Sequence, residues 1–241
     1  MRGRLEVIAA IEVPEGDGVT VRRLMPVAGR LNYDPFVLWD HFDIDRGGFP
    51  DHPHRGFEAI TYLFDGHMRH ADNLGNRGTV GPGGAQRFTA GRGIVHSEFP
   101  DGHAAGVQLW INLPQRLKGV DPDYQQLQAT DLPEEAADGV VVRAIVGDGS
   151  PLTLHTEVTY LDLRLATGGR ISRPIPAGHR GLVYGVEGEA EVEGTRLAVG
   201  DACLVEAAEA ITITSGAGSR LLWCFGHPHG EPIRQHGPYV D

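Results

Sequence analysis

Cysteine is nearly absent from the 241-residue chain, which has only Cys203 and Cys224. Two distant thiols build neither a disulfide framework nor a CxxC pair, so a reducing compartment and a cytoplasmic location are expected. Basic side chains are also scarce: 21 Lys and Arg face 32 Asp and Glu, a formal charge of −11. A surface that grips a phosphate backbone needs the opposite balance, so direct nucleic-acid binding is not expected. No run approaches the roughly 20 apolar residues of a membrane span. Glu6 and Glu12 interrupt the apolar start, which argues against a signal peptide. Helical composition is confined to residues 123–129.

Turn residues are what the chain has in excess. With 34 Gly and 16 Pro they make up about a fifth of it, against roughly an eighth in average usage. Hydrophobic residues still reach 41%, enough for a packed core. Strand-like runs of eight residues or fewer recur between these punctuation marks. Residues 57–64 close on Asp65-Gly66, and 106–113 close on Pro114; later runs include Val140–Val146, 181–186 and 211–214. Short strands separated by tight turns suit a β-sandwich or barrel.

A polar, proline-bearing stretch from Pro114 to about Asp138 breaks this rhythm, and a short helix is expected within it. The halves on either side look alike. FPDHPHRGFEAITYLFDG (49–66) precedes the break and IPAGHRGLVYGVEG (175–188) follows it; aligning Gly66 with Gly188 also matches Tyr62 with Tyr184 and Gly56 with Gly178. An internal repeat is expected. The domain division is then 1–120, a linker 121–138, a second barrel 139–225, and a tail 226–241.

Two histidine-bearing segments carry the chemistry. In an extended backbone, residues i and i+2 share a face, so His52 and His54 converge, as do His96 and Glu98. Together they offer three imidazoles and a carboxylate, a set suited to Fe(II), Mn, Co, Ni, Cu or Zn with positions left open. Other groups have plainer expectations. His67, His70 and His103 fall in hydrophilic turns and should face solvent. Asp51 and Arg55 should point away from the site, whereas Phe42, Phe49, Phe57 and Gln108 are candidates for its walls. Glu58 completes an HxHxxxE spacing but ranks below Glu98. His227-Pro228-His229 with Glu231 mimics the site by spacing only, and GPGGA (81–85) lacks the Lys-Ser/Thr of a phosphate loop.

At DPFVLWDHFD, GGFPDHPHRGFEAITYLFDG, FTAGRGIVHSE, LWINLP with DPDYQ, and the terminal QHGPYV, the chain resembles the pirin family of the cupin superfamily. The resemblance runs from Asp34 almost to the C-terminus. It implies an all-β bicupin, two tandem jelly-roll-like antiparallel β-barrels with a short linker helix. It also places the family's metal ligands on His52, His54, His96 and Glu98, with one divalent transition metal per chain, usually Fe(II). Pro174 and Pro176 fall where His52 and His54 stand, so the second barrel is expected to be metal-free. The family is similar to quercetin 2,3-dioxygenases, which implies a flavonol-like substrate, O2 and Glu98 as general base. A second implication is a metal-binding regulator that acts through a transcription factor or metabolic enzyme without catalysis. An isomerase would need convergent cationic groups, for which only Arg55, Arg87 and Arg92 are near.

Overall fold

Alternating apolar and polar residues become strands throughout residues 3–241, which this computed structural model describes. Two single-turn 3-10 segments, Gln115–Leu117 and Ala129–Asp131, are the helical elements among them. No helix is long and apolar enough to cross a membrane. The expected linker helix over 123–129 is replaced by a strand, Asp123–Leu127, antiparallel to Ala85–Thr89. Pro122 and Pro133 leave too short a span for a self-supporting helix, while the sheet edge satisfies every other backbone group of the segment.

Two units emerge, and they are not the contiguous spans 1–120 and 139–225. The first combines Ile11–Asp131, Leu154–Thr156 and His229–Asp241; the second combines the chain up to Ala10, Leu132–Thr153 and Glu157–Pro228. The N-terminal strand Arg4–Ala9 pairs with Asp201–Glu206 over six residues, and so completes the sheet of the second unit. The tail after His229 likewise belongs with the first unit. An edge strand is recruited by unpaired backbone groups, and these do not respect sequence order.

Each unit has a seven-strand path in which six strands follow the same sequence order; the seventh, at one edge, comes after the others in the first unit and before them in the second. In the first the path runs Asp123–Leu127, Ala85–Thr89, Phe57–Asp72, Ile94–Asn112, Phe36–Ile44, Val19–Met25, Ile11–Glu15. In the second it runs Arg4–Ala9, Asp201–Glu206, Arg180–Gly188, Ser219–Gly226, Val158–Leu165, Val140–Val146, Glu134–Ala137. The expected repeat extends to irregularities. Tyr62 and Tyr184 are both fully buried, and each is followed by a bulge, at Leu63/Asp65 and at Gly185/Glu187. The turn glycines correspond as well: Gly66 and Gly188 have φ +68° and +66°. A Cβ on either would strike a backbone carbonyl, of His103 or of Gly218, so only glycine fits.

The interior of the second unit is filled by aliphatic and aromatic side chains. Ala144, Leu161, Trp223, Val183 and Cys203 lie opposite one another across five strands, and all five belong to one buried cluster. Cys203 and Cys224 are both buried and unbridged.

Candidate metal centre

The strand Phe49–His54 packs against the start of the long strand Ile94–Asn112, with His52 directly opposite His96. Pairing register thus achieves what i, i+2 spacing began. The rings of His52 and His54 are 4.5 Å apart, those of His52 and His96 4.5 Å, and those of His54 and His96 4.9 Å. One nitrogen from each lies within 4.8 Å of the others, a spacing a single ion can bridge.

Hydrogen bonds set two of the tautomers. His52 Nδ1 lies 2.7 Å from the Pro50 carbonyl and His54 Nδ1 3.3 Å from that of Pro238. A carbonyl only accepts, so each Nδ1 carries the proton and each Nε2 keeps its lone pair for a metal. Both nitrogens of His96 are buried without any partner, an arrangement that costs stability unless something binds there. Burial lowers the His54 pKa to about 3 and that of His96 well below the usual range, and the neighbouring imidazoles add to both shifts. The rings are therefore neutral at physiological pH, as metal ligation requires. His54 is fixed further by aromatic contacts: Phe88 stacks on it at 5.5 Å, while Phe57 and Trp110 meet its ring edge-on.

Glu98 is buried beside this triad and is held by other polar groups. Gln86 Nε2 donates to it at 2.5 Å and Gln108 Nε2 at 3.5 Å. Thr61 Oγ1 lies 2.9 Å from Glu98 Oε1 and 2.5 Å from Gln108 Oε1, and its one proton serves either. By distance, Glu98 groups with His96 and His70 rather than with all three imidazoles. The structure thus brings His52, His54 and His96 together and leaves Glu98 adjacent, linked to them through His96.

His70 departs from its expected solvent exposure. It is buried in the strand Phe57–Asp72, stacked on Tyr124 at 4.2 Å, with its ring 5.3 Å from that of His96. Its Nε2 lies 3.2 Å from Asp72 Oδ2, and Nδ1 is buried without a partner. Residues 65–72 read as a turn by composition, but the strand continues through them by pairing with Arg77–Val80.

Other candidates fall elsewhere. Glu58 points to the opposite face of its strand, where it accepts from Thr89 Oγ1 and from the backbone N–H groups of His155 and Thr156. Asp51 is exposed, and Arg55 binds Asp241 beneath Tyr239 at the surface. Arg87 pairs with Asp123 and Arg92 with Asp121, so none of these three arginines converges on the triad. His229 bonds the Asn112 carbonyl; with His227 and Glu231 it forms no metal-sized group among the described residues.

A cavity of about 610 Å³ opens on His52, His54 and Glu98. Phe42, Phe49 and Gln108 line it as expected; Phe57 lies behind His54 instead. Four of its lining residues, Arg23, Asp40, Gln108 and Thr61, belong to one cross-strand row that no linear reading reveals. Arg23 is opposite Asp40, Asp40 opposite Gln108, Gln108 opposite Thr61, Thr61 opposite Gln86, and Gln86 opposite Gln126. This polar row crosses six strands. One pleat away runs an apolar row, Leu38, Trp110, Ala59, Phe88 and Tyr124.

Residues 18–111 match the Pirin family and 160–241 the Pirin C-terminal cupin domain. The chain belongs to the pirin family. Human Pirin is 39% identical over 95% of this chain and 84% of its own length. A Pseudomonas aeruginosa protein named "Putative quercetin 2,3-dioxygenase" is 40% identical over 99% and 91%. Among solved structures, quercetin 2,3-dioxygenase from Acinetobacter baumannii superimposes with a TM-score of 0.91 at 29% identity, covering 100% of this chain and 92% of that one. The fold of this pirin is the all-β bicupin.

Proposed function

We propose that this pirin is a metal-dependent dioxygenase that opens quercetin-type flavonols with O2 and releases carbon monoxide. His52, His54, His96 and Glu98 would hold one divalent transition metal, Fe(II) being the first choice. The observation that carries this reading is the convergence of three imidazoles, one with both nitrogens unpartnered, at the end of a largely apolar cavity. A metal held there would supply a Lewis acid that acidifies the flavonol 3-hydroxyl.

The chain's own residues do the rest. Glu98 accepts the 3-hydroxyl proton as a carboxylate within reach of the triad. Gln86 and Thr61 hold that carboxylate in place and stabilise its charge. Gln108 presents its side chain to the cavity beside Glu98, where it orients a substrate oxygen. Leu38, Phe42 and Trp110 sandwich a flat ring system and exclude water. In the second unit, Pro174 pairs with Ala210 and Ser172 with Thr212, so the positions matching the ligand pairs carry neither imidazole nor carboxylate. That unit is structural in this reading.

The test is an aerobic assay of protein loaded in turn with Fe(II), Mn or Ni, following loss of quercetin absorbance. Turnover that disappears in His54→Ala supports the reading. A fully loaded protein without turnover, or equal turnover in His54→Ala, overturns it. Metal-dependent capture of a defined protein partner without turnover would put the regulatory role in its place.

A further inference from the structure

The cavity has polar groups in two places, and the metal centre accounts for only one. The other is Arg23 with Asp40 and Glu15. Arg23 Nε donates to Asp40 Oδ1 at 2.7 Å, and Nη2 donates to Asp40 Oδ2 at 2.5 Å and to Glu15 Oε2 at 2.6 Å. All three residues line the cavity. Arg23 Nη1 has no hydrogen-bond partner among these residues, and Asp40 keeps lone pairs beyond the two that Arg23 uses. Burial pushes the Asp40 carboxyl up to about 6 against the effect of the guanidinium, so it is ionised and accepting at neutral pH.

The fold does not require charge at these positions. Aligning Tyr62 with Tyr184 places Leu161 where Asp40 stands and Ala144 where Arg23 stands, both within the apolar core of the second unit. A buried ion pair is often no more stabilising than well-packed apolar residues of similar volume, and here the same chain supplies the apolar alternative. The polar row fixes the distance between the two places. Asp40 lies two strands from Thr61, which underlies Glu98, and two strand spacings are roughly 10 Å. One cation beside two carboxylates leaves acceptors in excess, which disfavours an anionic substituent and favours a hydroxyl donor.

We propose that Arg23 and Asp40 form a second recognition subsite, which binds a phenolic hydroxyl at the far end of a planar substrate whose other oxygens face the metal centre. Asp40 accepts the hydroxyl proton in a hydrogen bond, and Arg23 Nη1 donates to the same oxygen or a neighbouring one. The substrate class narrows to polyhydroxylated aromatics carrying a distal hydroxyl. This rests on the flavonol reading above and sharpens it.

Two probes share the 3-hydroxy-4-carbonyl pair that faces the metal and differ in every other hydroxyl: quercetin, which carries them on both outer rings, and 3-hydroxyflavone, which has none. Their binding to the metal-loaded protein is read by quenching of Trp110, which lines the cavity. Wild type should prefer quercetin by roughly tenfold or more, the scale of a hydrogen bond to a charged group. The preference should fall toward one in Arg23→Ala/Asp40→Leu, which copies the second unit. If that double variant folds poorly, the isosteric Asp40→Asn should still reduce the preference several-fold. A preference that survives in the variants overturns the proposal, as does a parallel fall in both affinities at unchanged metal content. So does failure of the loaded wild type to bind either flavonol. Intact preference without O2 consumption leaves the subsite standing and removes the oxygenase reading instead.

Discussion

The two units share the order of six strands, a bulge and their turn glycines, yet their interiors differ at every position of one row. In the first unit the row reads Gln86, Thr61, Gln108, Asp40, Arg23; in the second it reads Cys203, Val183, Trp223, Leu161, Ala144. One architecture therefore supports either a polar-floored cavity or a packed core. The scaffold tolerates both because its backbone hydrogen bonds close within the sheets, independently of what the inward side chains do. Function in this chain resides in the choice of inward residues, not in the fold.

The sharpest way to break this comparison is to remove the triad. His96→Ala should weaken metal binding at least ~100-fold in competition with a chelator, beyond the 10–100-fold typical of residues that merely support a ligand. Cys203→Ala, at the position matching Gln86, should leave one metal per chain. Equal losses from the two changes would show that the units are not functionally distinct.

Stability should follow the opposite pattern. Trp223 is buried in the core cluster, so Trp223→Ala should cost about 3–5 kcal/mol in urea denaturation. Gln108→Ala, at the matching position on an open cavity, should cost about 1 kcal/mol or less. Similar costs would mean that the first unit relies on its polar row for stability as well.

Acid should discriminate between the units too. Folding holds His54 neutral, with a pKa of about 3 against about 6.5 in the unfolded chain. The unfolded state then binds more protons between those values, so stability falls as pH drops below about 6.5. For His54 alone the loss at pH 5 is roughly 2 kcal/mol. Metal-free wild type should therefore lose more melting temperature between pH 7 and pH 5 than His54→Phe does. An identical pH slope in the two proteins would contradict the neutral-imidazole assignment.

The smallest effect concerns the C-terminal tail. Lys118 Nζ donates to the Gly56 and Val240 carbonyls and to Asn112 Oδ1, and the same tail places the Pro238 carbonyl against His54. Lys118→Met should cost about 1 kcal/mol and weaken metal binding by a few-fold, with faster amide exchange at Val240. Unchanged exchange there would show that the tail is held by Arg55 and Asp241 alone.

Much of this was legible without coordinates. The histidine-bearing pairs could be seen because i and i+2 share a face within one strand, and the repeat because bulges and left-handed turns demand particular residues in particular places. His70 departs from its expected exposure because the hydrophilic residues around it suggest a turn, whereas pairing with Arg77–Val80 extends the strand and buries the ring. The segment 123–129 failed for a related reason: its helical preference is weaker than the edge of a waiting sheet. Arg23, Asp40, Thr61 and Gln86 gave no signal, since none belongs to a spaced pair within its own strand.

By itself the sequence determined the strand-rich class, the doubled architecture and the two i, i+2 pairs His52/His54 and His96/Glu98, because each pair depends on residues near one another along the chain; the register that sets His52 opposite His96 does not. Only the tertiary structure decided which strands share a sheet, and hence that Arg4–Ala9 completes one unit and the tail after His229 the other. It also decided that Arg23, Asp40, Gln108 and Thr61, from four strands, line one cavity in a single cross-strand row. Cross-strand register is set by long-range pairing and packing, and no stretch of chain contains it.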